Sequence, residues 1–421
     1  MNKEEKRPRP VLEKNLQYYK FCLYGFFKNL KFFDPYLILF FLDSGLSFLE
    51  IGVLLSVREI VTNLVEIPSG MVADVVGRRR AMLFSFACYI ISFLIFFLFP
   101  VYGMFVLAMV FFGFGEAFRS GTHKAMILEY LRIKGIPELR VHYYGHTRGW
   151  SQAGAAVSAV IAALLVFGSG SYRIVFISSV IPYTLDLILI LTYPRELDGE
   201  TGGAGWSLKG LTRRFTAVFR GFLHTLGDPG FRRAMLSSSV YDGFFESVKD
   251  YIQPVMQQAV LGLPVLLMLG EERRTALFIG MVYAGIYVFT SIASRNAGTV
   301  SDRFPRISGM LNVTYGMSVG VMAAAGLVIL LGVPAAAVAL LVVYFLIKNL
   351  RRPMALGFLS ERIQNQLMAT GLSAESQAKT LSVALLAPLM GFLADKLGIG
   401  FGLVVVAALA LLLYPLVRTR E

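Results

Sequence analysis

PSGMVADVVGRRRAML, residues Pro68 to Leu83, separates two long apolar runs. Its marked residues stand at fixed intervals: Gly70, Asp74, Gly77, then Arg78, Arg79 and Arg80. A glycine near a helix end lets a neighbouring helix approach closely. An aspartate four residues later can pair with an arginine or meet the positive N-terminus of an adjacent helix. Arginines after the turn hold one side of a membrane and can clamp a carboxylate. The stretch reads as a tight basic turn between two membrane-crossing helices.

The surrounding chain fits that reading. Its 421 residues are 56% hydrophobic and 16% charged, with mean hydropathy +0.64; a soluble domain usually holds about 25% charged residues. Apolar runs long enough to cross a bilayer, about 20 residues each, recur at roughly 17–42, 50–73, 81–100, 103–131, 145–169, 174–193, 233–262, 275–300, 308–332, 335–361, 371–395 and 398–417. They predict an all-α membrane protein of twelve transmembrane helices. The opening MNKEEKRPRPVLEKNLQ is basic and polar, without a short apolar stretch and cleavage site, so helix 1 is expected to be retained.

The net charge of +13 raises the question of nucleic acid. The placement of the charges answers it. Twenty-three lysines and arginines fall in alternate loops, among them Arg78–Arg80, Arg132, Lys134, Arg213 and Arg214, against four (Arg173, Arg273, Arg274, Lys396) in the opposite loops. This is the positive-inside bias. It predicts a multi-pass protein of the cytoplasmic (inner) membrane with both termini in the cytoplasm, partnered by lipid and not by nucleic acid. Cys22 and Cys88 sit in apolar runs, the four histidines have no metal-ligand spacing, and no phosphate-binding Gly-Lys-Ser/Thr loop occurs. No metal, cofactor, ATP use or enzymatic activity is expected.

The chain repeats itself across a polar interruption at 194–232. Ile51-Gly52, Gly70 and Asp74 recur 228 residues later as Ile279-Gly280, Gly298 and Asp302, the latter followed by Arg303. GFFKNLK at Gly25–Lys31 returns as GFFESVK at Gly243–Lys249, and Arg119/Glu129 as Arg351/Glu361. These pairs match helices 1 with 7, 2 with 8 and 4 with 10. They divide the chain into a six-helix bundle (1–193), a linker (194–232) and a second six-helix bundle (233–421), related by a pseudo-two-fold axis along the membrane normal. Leu208, Leu211, Phe215, Phe219 and Phe222 share one helical face of the linker, opposite Lys209, Arg213 and Arg220, as in an amphipathic helix on a lipid surface.

Several helices carry charge. At about 100° per residue, Asp242, Glu246, Lys249, Asp250, Gln253 and Gln257 form one stripe of helix 7. Helix 4 carries Glu116, Arg119, Ser120 and His123, helix 10 Lys348, Arg351 and Arg352, and helix 1 Lys28, Lys31 and Asp34. A charge at the bilayer centre costs about 2.5–3.5 kcal/mol on insertion scales, so such residues usually face water or protein and mark a pathway. Pro35 and Pro254 follow the two heptapeptides and permit bends. The alternative is that the charges pair with one another, as Glu246 with Lys249 and Asp250, or Glu116 with Arg119. Arg58, Glu59 and Glu66 of helix 2 fit structural pairing best.

The spacing Gly70-x-x-x-Asp74-x-x-Gly77-Arg78-Arg79, with twelve spans and duplicated halves, resembles the signature loop of the major facilitator superfamily. GTVSDRFPR (Gly298 to Arg306) is similar to a degenerate second copy, and GFLADKLG, with Gly391 and Asp395, to a third. The resemblance implies a transporter working by alternating access. It implies that these loops act as latches, and that helices 1, 4, 7 and 10 line a central cavity. Helix 5 (GWSQAGAAVSAVIAALL) departs from the Gly-Pro signature of many proton-driven exporters. The expected function is secondary transport, as a monomer, of a small anionic or zwitterionic solute. Lys28, Lys31, Lys249, Arg119 and Arg351 would bind it, and Asp34, Glu116, Glu246 and Asp250 would carry coupling protons. Proton-coupled efflux of amphipathic compounds is the second reading. A non-transporting membrane receptor or assembly component on the same scaffold is the third.

Overall fold

The computed structural model describes residues 14–136, 139–198, 216, 227, 229–262, 268–296, 306–362 and 368–419. Within them the chain is almost wholly helical. The helices are α1 (Leu16–Lys28), α2 (Leu37–Asp43), α3 (Phe48–Val76), α4 (Arg78–Leu98), α5 (Tyr102–Arg119), α6 (Thr122–Ile133), α7 (Arg140–Ser169), α8 (Ile174–Leu191), α9 (Pro229–Val248), α10 (Ile252–Leu261), α11 (Glu271–Arg295), α12 (Ile307–Leu330), α13 (Pro334–Ser360), α14 (Met368–Leu397) and α15 (Ile399–Val417).

Three predicted spans are interrupted. Helix 1 breaks after Lys28 and resumes through a 3-10 turn, Asp34–Tyr36, into α2. Helix 7 breaks at a 3-10 turn, Lys249–Tyr251, between α9 and α10. Pro35 lies in the first turn and Pro254 just after the second, because a proline cannot donate to the preceding turn. Helix 4 breaks at Ser120–Gly121, where Gly121 takes φ +78°, a conformation that favours glycine.

Among the described residues, nine helical segments are long and apolar enough to cross a membrane, α5 and α6 together counting as one. The predicted helices 1, 2 and 7 are missing from that set. Their deficit has two causes. Helices 1 and 7 are broken, and α3 carries Glu50, Arg58, Glu59, Glu66 and Asp74. Helix α9 buries 13 of its 20 residues, whereas lipid-facing α15 leaves Leu411, Leu412 and Leu416 more than half exposed.

Around α1 and α2 the core is aromatic. Phe33, Phe40, Phe96, Phe105 and Phe176 interlock, the Phe40 and Phe176 centroids 4.4 Å apart. Repeated glycines set the helix spacing. Gly25 lies against Ser151 and Thr147 of α7, and Gly243 against Ser382 of α14. Gly52 abuts the backbone of Ala387 and Pro388 in α14, and Gly280 abuts Ala163 of α7. The duplicated Ile-Gly pairs therefore sit where the first part of the chain, α1–α8, touches the second, α9–α15. A side chain larger than hydrogen at Gly52 would force α3 and α14 apart. Gly52→Leu should destabilise the folded protein by about 1–3 kcal/mol, read as a fall in Tm in detergent. Gly316→Ala, which faces open space inside α12, should keep or raise Tm, since alanine favours a helix interior over glycine; equal behaviour of the two variants would contradict the close-packing argument.

Candidate functional site

A cavity of about 300 Å³ lies between the two parts of the chain. The join of α1 and α2 contributes Asp34, and α7 contributes Gln152. The break between α9 and α10 supplies Phe245, Glu246, Lys249 and Asp250, α11 supplies Tyr283, Ile286, Tyr287 and Thr290, and α13 supplies Phe345, Lys348 and Asn349. A neighbouring space of about 250 Å³ shares Gln152, Thr290 and Asn349 and adds Gly145, Arg148, Gly149 and Ser291. These volumes fall at or just below the lower bound for small-molecule sites, about 300–1,000 Å³.

The cavity charges form a short network. Lys249 Nζ lies 2.9 Å from Asp250 Oδ1 and 3.7 Å from Glu246 Oε2. Lys348 Nζ lies 3.4 Å from Glu246 Oε1 and 4.5 Å from the centre of the Phe245 ring, a cation–π distance. Asp34 completes a wall of three carboxylates and two ammonium groups, with both signs open to one space. The stripe read along helix 7 is thus divided by the 3-10 turn. Glu246, Lys249 and Asp250 reach the cavity. Asp242 pairs with Arg352 at 3.4 Å beside Ser238 and Glu375, and Gln257 donates to Glu271 at 2.9 Å.

Gln253 has another place. Its Oε1 accepts the Ile38 N–H at 2.8 Å, and its Nε2 donates to the Asp34 carbonyl at 2.9 Å and to Tyr283 Oη at 3.3 Å. Asp34 and Ile38 are four apart, the spacing of one helical hydrogen bond. The fully buried amide of Gln253 therefore fills a rung missing from helix 1, from the other part of the chain. Nearby, Tyr36 Oη donates to the Ala276 carbonyl at 2.9 Å, and the Phe48 and Tyr251 rings stack at 5.6 Å.

Asp395 belongs to the same seal. Its two carboxylate oxygens accept the N–H groups of Phe48 and Leu49 at 2.8 Å each, capping the first turn of α3 across the interface. Gly391 lies against Phe48. Both therefore work at the end of the molecule opposite the signature loop. Below them Ser56 reaches the Ala384 carbonyl at 3.3 Å, Asn63 reaches Thr380 at 3.0 Å, and Glu59 pairs with Lys379 at 3.9 Å.

The signature loop docks mainly within α1–α8 and the segment after it. Arg78 lies 3.8 Å from Glu129 and 3.9 Å from Asp74. The Arg79 N–H donates to Asp198 at 2.6 Å, and its guanidinium donates to the Tyr193 carbonyl at 3.3 Å. Gly77 at φ +106° makes the turn. Asp74 is more than half exposed. Gly70 faces open space, with no neighbour within 4 Å, so the close approach expected of it is not made. Gly298, Asp302 and Arg303, and the linker's apolar face of Leu208, Leu211, Phe215, Phe219 and Phe222, lie outside the described residues.

The other charges of helices 1, 4 and 10 stand away from the cavity wall. Glu116 and Arg119 form an ion pair, and Arg119 Nε donates to Tyr89 Oη at 3.2 Å. Lys28 and Lys31 lie within electrostatic range of Glu116. His123 is buried, stacked on Tyr24 with centroids 3.5 Å apart and its Nε2 3.3 Å from Tyr193 Oη. Arg351 is 1% exposed. Its guanidinium bonds the Leu311 carbonyl, Thr314 Oγ1 at 3.1 Å and Ser237 Oγ at 2.8 Å, and lies over the Tyr241 ring. It ties α9, α12 and α13 together through its two terminal nitrogens, each of which donates to protein oxygens. On helix 2, Arg58 pairs with Glu59 at 3.1 Å and Glu66 accepts from Ser120 at 2.8 Å. The residues missed by reading charge alone are Gln152, Tyr283, Tyr287, Thr290 and Asn349. Uncharged polar groups on the inner faces of helices 5, 8 and 10 were their only signal.

The sequence matches the profile of the Major Facilitator Superfamily over residues 21–376. The chain belongs to the major facilitator superfamily. Solved members with the same fold include a POT family transporter in complex with 5-aminolevulinic acid (TM-score 0.73, 14% identity, covering 98% of this chain and 97% of that one). The nucleoside transporter NupG aligns with TM-score 0.69 at 13% identity, over 94% of this chain and 95% of its own. A bacterial homologue of the human lysosomal transporter Spinster, inward-facing and unoccupied, aligns with TM-score 0.70 at 16% identity, covering 97% of each chain. No curated protein matches the sequence. Within this superfamily scaffold, Gln253→Leu would leave the Asp34 carbonyl and the Ile38 N–H without partners. Each unsatisfied buried group costs about 1–3 kcal/mol. The variant should unfold at clearly lower temperature than Gln257→Leu, whose partner is solvent-exposed; matching melting curves would exclude the inserted-amide reading.

Proposed function

We propose that this protein is a secondary transporter that moves a small zwitterionic solute by alternating access. The observation that carries this reading is the cavity wall itself, where Asp34, Glu246 and Asp250 share one space with Lys249 and Lys348. A solute bearing an ammonium and a carboxylate can exchange for these internal pairs, each end meeting the opposite charge. The POT family relative bound to 5-aminolevulinic acid is consistent with such chemistry. A purely anionic solute fits the wall less well, since carboxylates outnumber lysines on it.

In this reading α1 with α2, α5 with α6, and α9 with α10 each form one span, and α3 another, giving twelve. They make two pseudo-symmetric six-helix bundles, 1–193 and 233–421, joined by the 194–232 linker. The positive-inside bias puts both termini and the signature loop in the cytoplasm of a cell whose inner membrane holds the protein as a monomer. The contacts of Gln253, Asp395, Gly52 and Gly280 then close the outer side, and the cavity faces inward. Transport requires these contacts to part and the signature-loop side to close. Carboxylates beside lysines in such a site suit proton coupling. The aromatic wall of Phe245, Tyr283, Tyr287 and Phe345 favours, as the second reading, proton-coupled efflux of amphipathic compounds.

Purified protein in proteoliposomes distinguishes these readings. Amino acids and dipeptides should enter and compete, and amphipathic cations should not. Glu246→Gln should weaken binding of the zwitterion about tenfold or more, as expected for loss of a charge-assisted bond of about 1.5–3 kcal/mol, and should spare the analogue lacking the amine. Binding without flux would identify a receptor. Flux of amphipathic cations alone would support the efflux reading.

A further inference from the structure

Asp186 has no role in the cavity and no counterpart in the charge pattern read along the chain. It sits in α8, one of the nine apolar segments, and is fully buried. Neither of its carboxylate oxygens has a hydrogen-bond partner. The Tyr24 hydroxyl, on α1, is likewise buried and unpartnered. The formal charges whose fields reach Asp186 are those of Lys28 on α1 and Arg119 on α5. Arg119 is already committed to Glu116 and Tyr89. Lys28 has no ion pair among the described residues. Tyr183, on its own helix, and Tyr193, in the turn after it, lie within electrostatic range of Asp186. Behind them stand Tyr89 on α4 and Tyr143 on α7.

A carboxylate cannot stay dry, charged and unpaired among aromatic rings at little cost. It holds a proton or finds a cation. Of the two cations, the uncommitted one, Lys28, belongs to a helix end hydrogen-bonded to α8, among the described residues, only by Tyr183, whose hydroxyl donates to the Lys28 carbonyl at 3.4 Å. Lys28 is the last residue of α1, just before the break in helix 1, and the far side of that break is held by Gln253 from the other part of the chain. When the halves part, the inserted amide leaves, and α1 is free to turn relative to α2.

We propose that Asp186 is a proton-binding site outside the solute cavity, loaded in the state described and emptied when Lys28 swings toward it. The step is a simple dissociation. The carboxyl O–H bond breaks, the proton passes to water, and the carboxylate left behind pairs with the Lys28 ammonium, which keeps its own protons. The proton site stands independently of the solute; only its coupling to transport rests on the transport reading.

Infrared difference spectroscopy of the purified protein in lipid tests this without any solute. At neutral pH the wild type should show a protonated-carboxyl C=O band that Asp186→Asn removes. Absence of the band from wild type, or its persistence in Asp186→Asn, overturns the proposal. Lys28→Met gives an independent measurement should Asp186→Asn fold poorly. With the partner cation gone, the band should persist to higher pH than in wild type; an unchanged titration overturns the link to Lys28.

Discussion

In a bilayer a broken helix has no water to satisfy the backbone groups its break sets free. Helix 1 solves this by borrowing. The amide of Gln253 stands between the Asp34 carbonyl and the Ile38 N–H, a rung that the helix cannot make for itself. Because the donor of that amide lies in the other part of the chain, repairing the backbone and joining the two parts are one event. The break itself turns Asp34 toward the cavity, and the opposing 3-10 turn at Lys249–Tyr251 presents Lys249 and Asp250 to the same space. One inserted side chain thus links cavity, seal and helix geometry.

Charge and packing divide the labour along the interface. At Gly52 the glycine lets two backbones touch, and at Gly280 it admits the Ala163 methyl; neither contact needs a polar side chain. Farther along, Glu59–Lys379 and Asn63–Thr380 hold α3 to α14 with directional but modest bonds. Asp395 adds a cap to the positive end of α3. Each of these contacts is individually weak, a property that suits the alternating access proposed above. The bonds of Arg351 are different. They lie inside the second part of the chain, are buried, and hold α9, α12 and α13 as a unit.

The candidate site was half legible. Glu246, Lys249, Asp250, Asp34 and Lys348 stood out because charge in an apolar run has few explanations, and they line the cavity. The same logic named Arg351, His123 and Gln253, which are spent on protein partners instead. A buried donor looks identical in sequence whether its acceptor is a solute or a backbone carbonyl. Gln152, Thr290 and the tyrosines of α11 went unseen because uncharged polar residues are common in membrane helices and cost little there. Asp186 also escaped notice: one carboxylate in an otherwise apolar run breaks no period and repeats nowhere.

Sequence alone determined the membrane class, the family loop and the internal repeat, because these depend on composition and on spacing along one chain. The length of an apolar run is set by the thickness of the bilayer, and the repeated glycines by how closely helices must pack. Tertiary structure alone decided where helix 4 breaks, which end of the molecule is sealed, and which charges see open space. Those outcomes depend on pairs such as Gln253 with the helix 1 backbone and Asp395 with α3, some 215 and 347 residues apart. No local pattern encodes them, since each partner is an ordinary residue until the fold brings the other to it.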